Sequence, residues 1–378
     1  MNKKQLTQFL DMMRTPGSEI SIRHCHKEIY HHCSGYSDDK CQKATSPDDL
    51  YILYSASKVM TCTAAMQLIE RGLLSPDDPV HKYLPEYKNL TVNTNGAVTP
   101  CKNIMTVRHL FSMCGGLDYD LNAPAIRRVK AESNNLASTR EVVRAIAEKP
   151  LQFEPGTHFN YSLCHDVLGA IIEVVSGMTF GDYMRANIWG PLDMKDTCFF
   201  PNIEQQERLT AQYRLENNKF VSVPKNCAYR LTDNYESGGA GMISSVEDYA
   251  IFADAMANGG TGANGAQILK PETVDLMRTP QLSPDCLSDF KRKCANKPGY
   301  SYAFGVRSLI DADAADSKSP IGEFGWDGAA ASYVFIDPEN KLSLFYAQQV
   351  LGHGSAYEMI HPIIRNAAYD ILKEHLAD

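Results

Sequence analysis

Residues 50–73 read LYILYSASKVMTCTAAMQLIERGL. Leu50 to Tyr54 is a short apolar run rich in β-formers and predicts a strand. It runs straight into Ser55. From Ala56 to Arg71 there is no Gly or Pro, Met60, Ala64, Leu68 and Arg71 recur at helical spacing, and Gly72 is a natural stop. Ser55 therefore stands between a strand and the first turn of a helix, with Lys58 three residues on. Residues i and i+3 share a helix face, so Lys58 can reach the Ser55 hydroxyl. The free N–H groups and positive dipole end of the helix favour a developing anion. A buried lysine gives up its proton more easily than a solvated one, and a serine hydroxyl needs such help to become a nucleophile. A solvated serine beside a snorkelling lysine would carry the same letters.

The pattern Ser-x-x-Lys occurs four times, at Ser37–Lys40, Ser55–Lys58, Ser222–Lys225 and Ser288–Lys291. Three copies lie in polar, turn-like surroundings; only Ser55 joins an apolar run to a long helix. Upstream, Glu19–His24 alternates and Glu28–His32 follows a short turn, which predicts a hairpin. Downstream, Thr106–Met113, Thr139–Glu148, Ser162–Val175 and Ser244–Ala257 read as helices, the last with a capping box from Ser244 to Glu247. Tyr302–Ile310, Ala331–Ile336 and Leu342–Gln348 read as a meander, and Ser355–Leu376 as a final helix. Strands at both ends with helices between predict an α+β domain: a sheet flanked by helices, with a helical insertion.

The 378 residues fit one large domain or two interleaved ones. Apolar residues are 44% and charged residues 22%, enough for a core and against disorder. Lys+Arg number 37 against 45 Asp+Glu, a net charge of -8, so sequence-independent nucleic-acid binding is not expected. No apolar run approaches a membrane span, and no membrane partner is expected. Met1–Met13 reads as an amphipathic helix rather than a signal peptide. The 11 cysteines form no CxxC pair, which predicts a reduced, cytoplasmic protein.

Other motifs carry less. Gly260-Thr-Gly262-Ala-Asn-Gly265 matches GxGxxG but follows a helix instead of a strand, so a loop is expected. His24, Cys25, His26, His31, His32 and Cys33 cluster, but a hairpin alternates their faces. They read as surface or core-edge residues, with no metal expected. Neither HExxH nor GxSxG occurs, against zincin and α/β-hydrolase readings.

Several blocks then fall in order: Tyr54-Ser-Ala-Ser-Lys58, Thr106-Val-Arg-His-Leu110, Gly115-Gly-Leu117, Pro155-Gly-Thr157, Tyr161-Ser162, Leu168-Gly169, Ser237-Gly-Gly-Ala-Gly241, Trp326-Asp-Gly-Ala329 and Ile336-Asp-Pro338. Over about residues 15–350 the chain resembles the serine β-lactamase and penicillin-binding-protein superfamily, in the branch of class C β-lactamases, D-peptidases and β-lactamase-like carboxylesterases. The resemblance implies one β-lactamase/transpeptidase-like unit with an antiparallel sheet. Its sheet subdomain would span about 1–75 and 236–378, its mainly helical subdomain about 76–235. It implies Ser55 as nucleophile, Lys58 and Tyr161 as its proton partners, and the Ser55 and Ala329 amides as an oxyanion hole. No metal or organic cofactor is implied. Lys58 would lower the pKa of Tyr161.

Two positions depart from the family pattern. Where Tyr-x-Asn is usual, Leu163 replaces Asn; where Lys-Thr-Gly is usual, Trp326-Asp327-Gly328 stands. Leu163, Trp326, Asp327 and Gly328 are expected to contact substrate, Asp327 either selecting a cationic group or facing solvent. Tyr87-Lys-Asn89 fits Tyr-x-Asn by letter but lies in a turn-rich stretch, and a surface role is expected. The departures remove contacts for a β-lactam and resemble the carboxylesterase branch. The expected activity is hydrolysis of small carboxylic esters, or transfer of their acyl group. Alternatives are a D-amino-acid amidase or peptidase, a weak β-lactamase, and a non-catalytic sensor or scaffold. The stretches around Tyr119–Asn135 and Gln205–Tyr235 would shape the pocket. The natural substrate and the oligomeric state are not encoded legibly.

Overall fold

A computed structural model describes residues 1–377. Its centre is a seven-stranded sheet, ordered Lys27–Gly35, Gly17–His24, Leu342–Gln348, Tyr333–Asp337, Phe324–Asp327, Arg307–Leu309 and Tyr300–Tyr302. Every neighbouring pair is antiparallel. The middle strand Leu342–Gln348 (LSLFYAQ) is buried along its whole length, as a strand covered on both faces requires.

Alternation sorts its side chains into two cores. Leu342, Leu344 and Tyr346 pack with Ile20 and Ile22 under the terminal helices Lys3–Met12 and His361–Ala377. Phe345 and Ala347 face the other way, where Tyr249 of helix Val246–Ala257 stacks on Phe345 at 3.9 Å between ring centroids. The first helix starts as its residues dictate: Asn2 caps it and Gln5 reaches back, a full capping box.

The helix expected after Ser55 forms, and its burial is not confined to the stripe of Met60, Ala64 and Leu68. Ser57–Glu70 is buried from Ser57 through Leu68 and has no solvent face over that length. It runs through the centre of the larger core beside helix Cys164–Ser176. Its polar groups are all answered locally: Thr61 Oγ1 donates to the Gly238 carbonyl at 2.7 Å, and Gln67 Nε2 to the Asn187 and Ile268 carbonyls.

Other expectations shift in detail. The strand at Leu50–Tyr54 shrinks to Tyr51–Ile52, paired with Ile243–Ser244, and a 3-10 turn over Tyr54–Ala56 precedes the helix. Tyr302–Ile310 is two strands, because Gly305 turns the chain at φ +80°. The cap of Val246–Ala257 is Ser245, which accepts from Asp248 N–H, rather than Ser244. Tyr87 lies in the core, 2% exposed, its hydroxyl donating to the Val143 carbonyl at 3.0 Å; the surface expectation fails because its ring fills space between helices. The GxGxxG segment is a loop, as expected. Among the described residues no single helix is long and apolar enough to cross a membrane.

Candidate active site

Tyr54, the residue before Ser55, has a left-handed backbone, φ +49°. A non-glycine residue accepts this only where packing enforces it. Here the Tyr54 side chain is 1% exposed and its hydroxyl donates to Gln212 Oε1 at 2.6 Å. The bend leaves Ser55 half-buried at the head of the helix, one turn before Lys58.

Lys58 is fully buried. Its ammonium donates to Ser55 Oγ at 3.1 Å, Tyr119 OH at 2.8 Å and the Gly239 carbonyl at 2.5 Å. It also lies 4.7 Å from the Tyr161 ring centroid. Burial disfavours the charged amine and pushes its pKa down to about 8, against the pull of nearby Asp166. Asp166 is itself buried, accepting from Tyr235 OH at 2.7 Å and Ser237 Oγ at 2.6 Å.

Tyr161 receives the indole N–H of Trp326 at 2.7 Å, and the two rings stack at 5.4 Å. Its own pKa departs from the sequence expectation. Burial drives it well above the usual phenol value, and the hydrogen bonds with Ser55 and Trp326 only soften the rise. Burial thus works against ionising Tyr161, whereas it brings Lys58 down toward the neutral range.

The turn after strand Phe324–Asp327 meets the segment leading into Ser55. Gly328 N–H donates to the Ser332 carbonyl at 2.8 Å, and Ser332 Oγ donates to the Leu53 carbonyl at 3.1 Å. A Cβ on Gly328 would collide with both the Leu53 carbonyl oxygen and the Ser332 hydroxyl. Glycine is what allows this backbone-to-backbone approach. It sets Ala329 beside Tyr54, in the same small apolar cluster.

Two of the expected substrate contacts lie deeper than expected. Leu163, 3% exposed, precedes helix Cys164–Ser176 and lines a small pocket with Leu117, Ile126 and Ile146 and with the charged Asp118, Asp120 and Lys149. Asp327 neither faces solvent nor waits for a cation. It is 7% exposed and is paired with Lys297 and with Arg307, the latter at 3.1 Å. Burial pushes its pKa up, but Lys297 and Arg307 outweigh this and hold the carboxyl below its usual range. Trp326 is 4% exposed and does join the site, through Tyr161.

Sequence reading placed Tyr119 only in a stretch expected to shape the pocket, not beside Lys58. Its hydroxyl shares the Lys58 ammonium with Ser55, and its ring packs against Tyr161 at 5.6 Å and Tyr229 at 5.5 Å. The available signal was its place two residues after the Gly115-Gly-Leu117 block. Together the residues form a serine hydroxyl, an amine able to take its proton, and phenols able to pass one on.

The comparisons agree with this architecture. The esterase EstB of Burkholderia gladioli is 28% identical, over 93% of this chain and 90% of its own. The acyltransferase calJ of Penicillium decumbens is 28% identical, over 87% of this chain and 82% of its own. The solved structure of EstCE1, a hydrolase with promiscuous acyltransferase activity, superposes with a TM-score of 0.79 at 27% identity, covering 97% of both chains. The family model described as Beta-lactamase matches residues 3–368, so the chain belongs to the Beta-lactamase family and is a serine hydrolase of the β-lactamase/transpeptidase fold.

Proposed function

We propose that the protein hydrolyses small carboxylic esters, or transfers their acyl group to an alcohol or amine, through an acyl-enzyme on Ser55. The observation that carries this reading is Lys58 Nζ at 3.1 Å from Ser55 Oγ, with a pKa brought down to about 8. The neutral amine takes the hydroxyl proton as the oxygen attacks the ester carbonyl. Tyr161, fixed by Trp326, hands its proton to the leaving alcohol and is reprotonated from the Lys58 ammonium, so the serine proton ends on the alcohol and both groups return to their neutral forms, while Tyr119 holds the amine in place. The Ser55 and Ala329 amides stabilise the oxyanion, each such donor typically being worth ~10²–10³-fold in rate. Water or an acceptor alcohol then releases the acyl group, and Ser55 regains its proton. The site would lie where a sheet part, about residues 1–75 and 236–378, meets a mainly helical part, about 76–235.

The relatives with esterase and acyltransferase names support an ester substrate. So does the state of Lys297. Its ammonium lies 5.3 Å from the Trp326 ring, yet it is already paired with Asp327. An anionic substrate edge gains little there, which favours an uncharged ester over a β-lactam. A cytoplasmic setting suits the eleven free thiols, of which Cys25 and Cys41 are exposed.

The test is turnover of a p-nitrophenyl short-chain ester and labelling by a fluorophosphonate. Ser55→Ala is expected to abolish both, and the label's mass shift is expected on the Ser55 peptide. Turnover surviving in Ser55→Ala overturns the nucleophile. Faster turnover of D-alanine amides than of esters overturns the substrate class.

A further inference from the structure

The first hairpin carries a second cluster with its own chemistry. In the register of strands Gly17–His24 and Lys27–Gly35, Glu19 lies opposite Cys33 and Ser21 opposite His31. Glu19, His31 and Cys33 therefore share one face of the sheet. The alternation that splits the six His and Cys residues of this hairpin leaves two of them converging on a buried carboxylate.

The geometry is close. His31 Nε2 is 2.9 Å from Glu19 Oε1 and 4.0 Å from Cys33 Sγ, and the three ligand atoms lie within 4.8 Å of one another. Glu19 is 1% exposed in its side chain. Its Oε2 accepts from Tyr51 OH at 3.4 Å, which leaves Oε1 for the imidazole. His31 keeps 28% of its side chain exposed, so solvent reaches the cluster from that side.

We propose that Glu19, His31 and Cys33 form a binding site for a zinc-class divalent cation, with water in the fourth position. Zinc takes oxygen, nitrogen and sulfur donors tetrahedrally at about 2.0–2.3 Å, which sets the donors roughly 3–4 Å apart. The two separations around Nε2 bracket that spacing, so small side-chain rotations complete the site. Charge also balances: a carboxylate and a thiolate together neutralise a dication, where a buried carboxylate otherwise needs another partner. Binding needs the Cys33 thiolate and an unprotonated Nε2, so uptake releases protons and weakens in acid. Because the donors come from two strands, the cation would clip the edge hairpin together.

His24 and Cys25 compete for the same role. His24 Nε2 lies 3.3 Å from Cys25 Sγ at the hairpin turn, on the exposed side. His26 is taken by Asp254 at 2.8 Å, and His32 by Asp11 at 2.8 Å. Among the described residues, Glu19, His31 and Cys33 are the group of three whose ligand atoms converge.

The test uses untagged, chelator-stripped protein titrated with Co2+ and then Zn2+. One equivalent of Co2+ should bind with a thiolate-to-cobalt charge-transfer band that Zn2+ bleaches, and Zn2+ should raise the melting temperature. Cys33→Ser should lose the band, His31→Ala should lose stoichiometric binding, and Cys25→Ser should keep both. In the wild type, Zn2+ should protect Cys33 from alkylation while Cys25 still reacts, a readout that needs no variant to fold. No stoichiometric uptake, equal alkylation of Cys33 with and without Zn2+, or a band lost in Cys25→Ser but kept in Cys33→Ser would overturn the proposal. None of these readouts depends on ester turnover.

Discussion

The indole N–H of Trp326 meets the phenol oxygen of Tyr161 at 2.7 Å, while the two rings stack at 5.4 Å. One side chain thus fixes both the position and the hydrogen bonding of the other. Trp326→Phe keeps an aromatic ring and removes the donor. A hydrogen bond of this kind is worth about 1 kcal/mol, so kcat/KM on a neutral ester should fall roughly five-fold with folding intact. Trp326→Ala also opens the core and should cost about 3–5 kcal/mol in denaturant melts.

The Lys58 amine makes ester turnover pH-dependent. With the base form required, kcat/KM should rise with pH along a limb centred near pH 8. Lys58→Arg cannot supply a neutral base and should lose at least ~10²-fold in rate, with no such limb.

The same group has a stability signature. In the unfolded chain Lys58 holds its proton up to about 10.5, in the folded protein up to about 8. Between those values the unfolded state binds more protons, so this group's contribution to stability rises with pH. The span corresponds to an effect on the order of 3 kcal/mol. Comparing urea melts of wild type and Lys58→Met from pH 7 to pH 11 should show the wild type gaining relative to the variant as pH rises.

Gly328→Ala inserts a methyl group where the Leu53 carbonyl and the Ser332 hydroxyl already sit. The turn must move away from Ser55. A loss of about 1–3 kcal/mol in stability is expected, with a larger proportional loss of ester turnover because Ala329 moves too. Equal activity with lowered stability would show that the Ala329 amide takes no part.

Asp327→Asn leaves Lys297 and Arg307 buried with one counter-charge fewer. Removing one partner from a buried ion pair typically costs about 3–5 kcal/mol. Melts should show that loss, whereas KM for uncharged esters and the preference between neutral and cationic esters should stay unchanged. A shift of preference away from cationic esters would restore a substrate role to Asp327.

What the sequence showed depended on how far apart the interacting residues lie. Ser55 and Lys58 are neighbours on one turn, so spacing alone brought them together, and Tyr161 followed from the order of short blocks. Tyr119 meets Lys58 only through the tertiary path of the chain, and no periodicity reports it. The partners of Asp327 are of the same kind, coming from a loop residue and from the strand Arg307–Leu309. Phe324–Asp327 is four residues long and contains Gly325, too short and broken for alternation to announce it as a strand. Tyr87 misled because polar, turn-rich flanks say little about whether one ring in them turns inward.

The sheet joins two segments far apart in sequence: Ser18 to His24 pairs with Gln348 to Leu342. During synthesis the hairpin emerges well before its partner and must wait, one long edge unpaired, until Leu342–Gln348 has left the ribosome. Contacts this remote in sequence form slowly, and an unpaired edge invites foreign strands meanwhile. Nascent chains stalled before Leu342 should therefore lack ester turnover and engage chaperones, although Ser55 and Lys58 were translated long before.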